Sequence, residues 1–214
     1  MQFIYPDHIL QDSTSCLTHD ILQRIHGTQW VYLAVDTLKE ANNAGLISPD
    51  SALDYTAYQT PPGLPSHTLT VKVNGVFYLL QNFSLDRGLV KNVHVVVVEV
   101  GTWIVTVRLL HPGNPTNSEG EDILILRISF LHQLSSGHTL LHCQFPLAPA
   151  YATTFNSCQG LTLDVVGIDL TQPVFSHGQL YTTLSHIRHH SHAKIHLHPG
   201  ETTIPNVTYQ EILI

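Results

Sequence analysis

Two short segments carry the residue types that could handle a phosphate or a nucleic-acid strand: YATTFNSCQG, 151–160, and YTTLSHIR, 181–188. The pattern of the first predicts a helix over 151–158 closed by Gly160. Such an end leaves backbone groups open, and Gln159 and Thr162 add side-chain hydrogen bonds suited to phosphate oxygens or a nucleotide-bound water. The same two residues would serve equally well as a structural cap. The second segment predicts a helix over 178–187 with Gln179 in its first turn. It carries His186 where a phosphate site wants a fixed positive charge, and a neutral imidazole does not replace a guanidinium. Arg188 follows, but a two-residue step along a helix turns a side chain to another face. Lys72, Arg87 and Lys91 form a third set, a local positive cluster that suits either a phosphodiester backbone or a solvated loop.

Other chemistry is poorly provided for. Ser176, His177 and Asp164 or Asp169 could be cast as a hydrolase set, but no G-x-S-x-G elbow exposes the serine. A phosphate-binding loop, G-x-x-x-x-G-K-[ST], is absent: none of the nine Lys and Arg follows a glycine at that spacing. The tract HIRHHSHAKIHLH could take zinc or nickel adventitiously, but no dedicated metal site is expected.

The charge balance narrows the function classes further. Nine Lys and Arg against sixteen Asp and Glu give a net charge of -7, the wrong sign for binding nucleic acid by bulk electrostatics. Contact with a nucleic acid must then be local. Sixteen histidines are unusual, and seven fall between His177 and His198, so mild acid would make that end cationic; a solvated, His-biased tract is the plainer reading. Three cysteines, Cys16, Cys143 and Cys158, lack paired metal-type spacing and read as reduced thiols. No run of 18 apolar residues and no signal-type start are present, so an intracellular protein without a membrane partner is expected.

These segments must be positioned by elements whose periods change twice. Leu17, Ile21, Leu22 and Ile25 predict a short amphipathic helix ending at Gly27. WVYLAVD, 30–36, reads as a strand, followed by a helix that Asp36 caps and Gly45 ends. Prolines 49, 61, 62 and 65 mark a linker. From Thr68 to Phe130 the pattern is that of strands, with Asn74–Gly75 as a hairpin signal and Gly101 as a tight connection. Several short antiparallel strands predict a small barrel or curled sheet. Beyond Pro149 helices alternate with LDVVGIDL and AKIHLH as strands, which implies a parallel sheet. The expected fold class is α/β, interrupted by a small antiparallel β-barrel insert.

Four segments, TPPGLPSHTLTVKVN, LLQNFSLDRGLVKN, QFPLAPAYATTFNSCQGLTLDVVGIDL and PVFSHGQLYTTLSHIR, resemble in order and interval the C-terminal part of Pif-like DNA helicases, including those of Helitron transposons. The resemblance covers roughly residues 17–190. It implies a RecA-like second motor domain with flanking helices around its parallel sheet, in parts 1–59 and 144–198, a β-barrel insert over 60–143, and a tail over 199–214. It implies ATP and Mg2+ as cofactors of the full-length family, neither bound productively by this chain alone, and single-stranded DNA as a partner, weakly held or lost. A first motor domain, carrying the phosphate loop, would have to come from elsewhere. By resemblance the setting is nuclear, and the roles are unwinding in repair, recombination or telomere maintenance.

The resemblance also assigns residues. Gln159, Gly160, Thr162 and Gln179 fall on the nucleotide and coupling face, and Lys72, Arg87 and Lys91 on the DNA side. His186 falls at the arginine-finger position, with Arg188 as the nearby alternative. Ser157 stands where relatives carry Lys, and Gln81 and His94 where they often carry Arg, so positive charge is lost at each. A non-catalytic DNA-contacting or protein-interaction remnant of a transposon helicase is the alternative reading.

Overall fold

The computed structural model describes residues 2–5, 18, 20–39, 63–110, 120–134, 138–155 and 165–209. They form two compact units, one from Met1–Arg24 with Ala150–Ile214 and the other from Ile25–Pro149. In chain order the second interrupts the first. Strand dominates and helices are few, and the described residues include no helix long and apolar enough to cross a membrane.

The first unit holds a parallel sheet. β1 (Gln2–Tyr5) lies between β12 (Ala152–Thr154) and β13 (Val166–Asp169), and β14 (Ala193–His196) pairs β13 on the outside. Parallel neighbours cannot be joined by a tight turn, so β13 and β14 are connected through helix α1 (Gln179–Ser185). Phe155, Val166, Ile168, Leu170 and Val174 are buried, with Leu180, Ile187 and Ala193 packed on them. Ile204 and Val207 join this cluster, and the Tyr209 amide donates to His177 Nδ1 at 3.0 Å with the two rings stacked. Within the stretch expected as a tail, Ile204 and Val207 are thus held on this unit while most of their described neighbours are exposed.

Two expected helices are strands in the parts that the structure describes. Residues 152–154 run beside β1 with Phe3 opposite Ala152, where the β-branched Thr153 and Thr154 favour extended backbone over the predicted helix. Residues 156–164 lie outside the described residues. Asp36 does not cap a helix; it sits in β3 (Val35–Lys39), whose pairing with β10 (Thr139–Gln144) overrides the capping signal. The rest of that predicted helix, 40–45, is outside the described residues. The helix expected over 17–27 is present at residues 20–24 and ends before Gly27.

The described residues of the second unit form three antiparallel sheets. The largest orders β11 (Leu147–Pro149), β5 (Val76–Leu79), β6 (His94–Val100), β7 (Ile104–Leu109) and β8 (Asp122–Leu126). One side chain in two points inward along each strand, so Phe77, Leu79, Val95, Val97, Val105, Val107 and Ile125 are fully buried. β3, β10 and β9 (Ile128–Gln133) make the second sheet, and β2 (Gln29–Leu33) with β4 (Thr68–Lys72) the third. Two stretches that read as single strands pass from one sheet to another, WVYLAVD at Ala34 and DILILRISF at Arg127. Asn74–Gly75 is a tight turn, with Gly75 N donating to Lys72 O at 3.0 Å and Asn74 at φ 66. It closes no hairpin: β4 pairs β2 while β5 pairs β6 and β11.

Tyr78 and His94 face one another across β5 and β6. Burial raises the Tyr78 phenol above its ordinary pKa and lowers the His94 imidazole. The unfolded chain therefore takes up a proton at His94 more readily than the folded one. The stability this neutral histidine contributes is complete above about pH 6.5 and is lost as pH falls from there through the folded pKa. Melting midpoints measured between about pH 7.5 and about pH 5 should fall less steeply for His94→Gln than for the native chain; equal slopes would remove His94 from the acid response.

Candidate nucleotide and nucleic-acid interface

In the parallel-sheet unit, Gly178 precedes α1 at φ 77, a left-handed conformation that suits a residue without Cβ. Gln179 follows and is buried. Its Oε1 accepts from the amides of Phe175 and Ser176, both at 3.2 Å, and its carbonyl accepts from Thr183 Oγ1 at 3.1 Å. The side-chain oxygen of Gln179 is thus engaged in shaping the turn that launches the helix. His186 sits directly after the last turn, partly exposed, and Arg188 is exposed beyond it. Ile187 between them packs on the core. Because α1 ends at Ser185, the step from His186 to Arg188 is not a helical one, and the expected change of helix face does not apply. Seven helical residues span about 10 Å, so Gln179 and His186 mark opposite ends of the helix and do not share one cluster. Ser157, Gln159, Gly160 and Thr162 lie outside the described residues.

In the antiparallel unit, the three expected DNA contacts separate into two kinds. Lys72 is only 5% exposed, and its Nζ donates to the Ile25 carbonyl at 3.3 Å. To reach a strand in solvent it would have to give up that bond. Arg87 and Lys91 are exposed on the loop after β5, together with Gln81. The loop is internally braced: Leu89 N donates to Ser84 O at 2.8 Å, and the Lys91 amide to Asn82 Oδ1 at 2.7 Å. Gly88 at φ 70 and Asn92 at φ 69 take the left-handed turns that this bracing needs. Arg87 is paired with the exposed Glu121 at 2.8 Å, a screened contact that a phosphate could displace.

Sequence reasoning missed a polar cluster inside the antiparallel unit. Asp36 Oδ2 meets His67 Nδ1 at 2.7 Å, and Asp36 Oδ1 meets His142 Nδ1 at 2.5 Å. Beside it, Gln144 is fully buried, its Nε2 donating to the carbonyls of Tyr32 and His67 at 3.2 and 3.1 Å and its Oε1 accepting from the Phe145 amide at 3.0 Å. The three residues of the cluster come from separate segments of the chain. No local motif announces them, and the only signal was the burial expected of a polar residue within an alternating strand.

No protein-family model matches the chain. The ATP-dependent DNA helicase Pif1 of Bdellovibrio bacteriovorus is 33% identical over 121 residues, which is 56% of this chain and 25% of that helicase. In fold, the crystal structure of the Pif1 helicase from Candida albicans matches with a TM-score of 0.72 at 19% identity, over 100% of this chain and 48% of that one. The crystal structure of Bacteroides Pif1 bound to ssDNA matches with a TM-score of 0.60 at 20% identity, over 91% of this chain and 40% of that one. The chain thus spans a quarter of the bacterial helicase and less than half of each solved chain. In sequence and in fold alike, the chain is similar to the Pif1 DNA helicases over part of their length.

Proposed function

We propose that the chain supplies the second motor domain of a Pif-like DNA helicase, interrupted by a small β-barrel insert, and that it neither hydrolyses ATP nor unwinds DNA by itself. The observation that carries this reading is the coincidence of sequence likeness and fold likeness to Pif1 helicases on one chain. The division into Met1–Arg24 with Ala150–Ile214 and Ile25–Pro149 supports a parallel-sheet unit interrupted along the chain by an antiparallel one, with the interruption beginning before the expected residue 60. Passage of the chain between sheets at Ala34 and Arg127 supports closure of the insert into a barrel.

ATP turnover in such a motor needs a phosphate loop and acidic residues that hold Mg2+, together with a cation that stabilises the transferring phosphoryl group. The 214 residues contain no phosphate loop. On this chain the coupling face is assigned to Gln159, Gly160 and Thr162, with Gln179 building the turn before α1 and His186 at the place of the arginine finger. A first motor domain would bind ATP with Mg2+; this chain's part is to close on it and couple that closure to a DNA strand.

Single-stranded DNA is the proposed ligand, held locally by Arg87 and Lys91 on the braced loop, with Lys72 as an internal tie. Net charge of -7 keeps this contact weak. In a fluorescence-anisotropy titration against salt, each phosphate contact on a single strand contributes about 0.7 to the log–log slope. Arg87→Glu with Lys91→Glu should therefore lower the slope by at least about 1.4. An unchanged slope would move the DNA contact off this loop, and no binding at low salt would sink the DNA role. Loss of positive charge at Ser157, Gln81 and His186 favours a second reading, a non-catalytic remnant that touches DNA; DNA binding without rescue of turnover by a first motor domain would select it.

A further inference from the structure

We propose that Asp36, His67 and His142 form a binding site for one divalent transition-metal ion of the zinc class, within the antiparallel unit. Two imidazoles and one carboxylate are a donor set that suits zinc and its neighbours, whereas magnesium and calcium take oxygen donors. Each residue presents one ligand atom, and the three lie within 4.8 Å of one another. Zinc holds nitrogen and oxygen ligands at about 2.0–2.2 Å, which sets ligand atoms about 3.3 Å apart in a tetrahedron. A shift of at most about 1.5 Å between any two ligand atoms thus brings them onto one ion.

The backbone already fixes the three positions. Asp36 and His142 are register partners across β3 and β10. The His67 carbonyl, just before β4, accepts from the Ala34 amide at 2.8 Å and from Gln144 Nε2 at 3.1 Å. Preorganisation of this kind lowers the cost of assembling the ligands. Charge argues the same way. The Asp36 side chain is 7% exposed, and among the described residues its hydrogen-bond and ion-pair partners are the two imidazoles. A buried carboxylate needs compensation, and a dication shared with two neutral imidazoles supplies it. The ligands stand 31 and 75 residues apart along the chain, so an ion would clip distant segments of the folded unit and would not bind the unfolded chain in the same way.

The test must separate this cluster from the C-terminal histidines. Co2+ is titrated into the full chain carrying His189→Asn, His190→Asn and His192→Asn, and its visible absorption is read together with melting in Zn2+ and in EDTA. Expected are one equivalent of Co2+ with low-symmetry d–d bands displaced by Zn2+, a melting midpoint that rises with Zn2+ concentration, and an affinity at least about tenfold lower when Asp36→Asn is added. Should Asp36→Asn fail to fold by circular dichroism, His67→Gln, at a partly exposed position, gives the same comparison. Co2+ spectra unchanged by the cluster substitution, or absent once the C-terminal histidines are replaced, would overturn the proposal.

Discussion

His186→Arg is expected to raise ATP turnover about 10³-fold when the chain is joined to a Pif-like first motor domain, the low end of what an arginine finger contributes in phosphoryl transfer. The position stands directly after α1, partly exposed, on an end whose preceding helix is anchored by Leu180 and by the buried Gln179 and Thr183. A side chain placed there is carried by a fixed element while its head stays free to reach outward. A neutral imidazole offers phosphate a single N–H donor and no charge, whereas guanidinium is permanently charged and binds phosphate oxygens bidentately. His186→Lys should therefore recover less than His186→Arg, because it restores charge without the fork. Steady-state turnover with single-stranded DNA present reads the difference. No gain from His186→Arg, with DNA binding intact, would assign the stabilising charge elsewhere, and Arg188→Ala would then show whether Arg188 provides it.

Phe145→Ala should destabilise the antiparallel unit by about 4 kcal/mol, within the range for removing a fully buried phenylalanine. Phe145 is 0% exposed and lies tilted against Tyr32 with ring centroids 4.8 Å apart. The Arg127 guanidinium covers both rings, 5.3 Å from the Phe145 centroid and 5.5 Å from that of Tyr32. The same guanidinium donates to the Leu33 carbonyl at 2.9 Å, and Tyr32 hydroxyl donates to the Gly101 carbonyl at 2.6 Å. Truncating Phe145 thus removes apolar burial and an aromatic pair, and it loosens the place where the chain changes sheets. Denaturant melting would report the loss as a lower midpoint; a cost below about 1 kcal/mol would mean that the site collapses without a cavity. Phe145→Leu, which keeps most of the volume, should recover more than half of the stability.

The parallel sheet was legible because its signals are local. LDVVGIDL and AKIHLH are short apolar strands around a helix opened by Gly178, and the structure pairs them in parallel as Val166–Asp169 and Ala193–His196. The strands of the antiparallel unit were legible for the same reason, through alternation such as Val95, Val97 and Val105, Val107. Their partners were not. Asn74–Gly75 carries the composition of a hairpin, yet β4 finds β2, from which the proline-bounded 40–62 segment separates it in sequence. The inward parity changes near Arg127, from Ile123 and Ile125 to Phe130, which is the trace of a sheet change inside a stretch that reads as one strand.

For the site, residue types could be named from the sequence, while their burial could not. Lys72 reads as a surface cation in TVKVN and is held inside by the Ile25 carbonyl. Asp36 reads as a cap, but its carboxylate is claimed by His67 and His142, brought close by strand register. A carboxylate's role in a β unit is set by its cross-strand neighbours, and these are non-local.

The most direct test of the account is magnesium-ATP turnover in the presence of single-stranded DNA, measured for the 214-residue chain alone and for the chain carrying His186→Arg joined to a Pif-like first motor domain. Turnover at the level of a boiled control is expected for the chain alone, and DNA-stimulated turnover for the joined protein. DNA-stimulated hydrolysis by the chain alone, or none from the joined protein with DNA still bound, would contradict it.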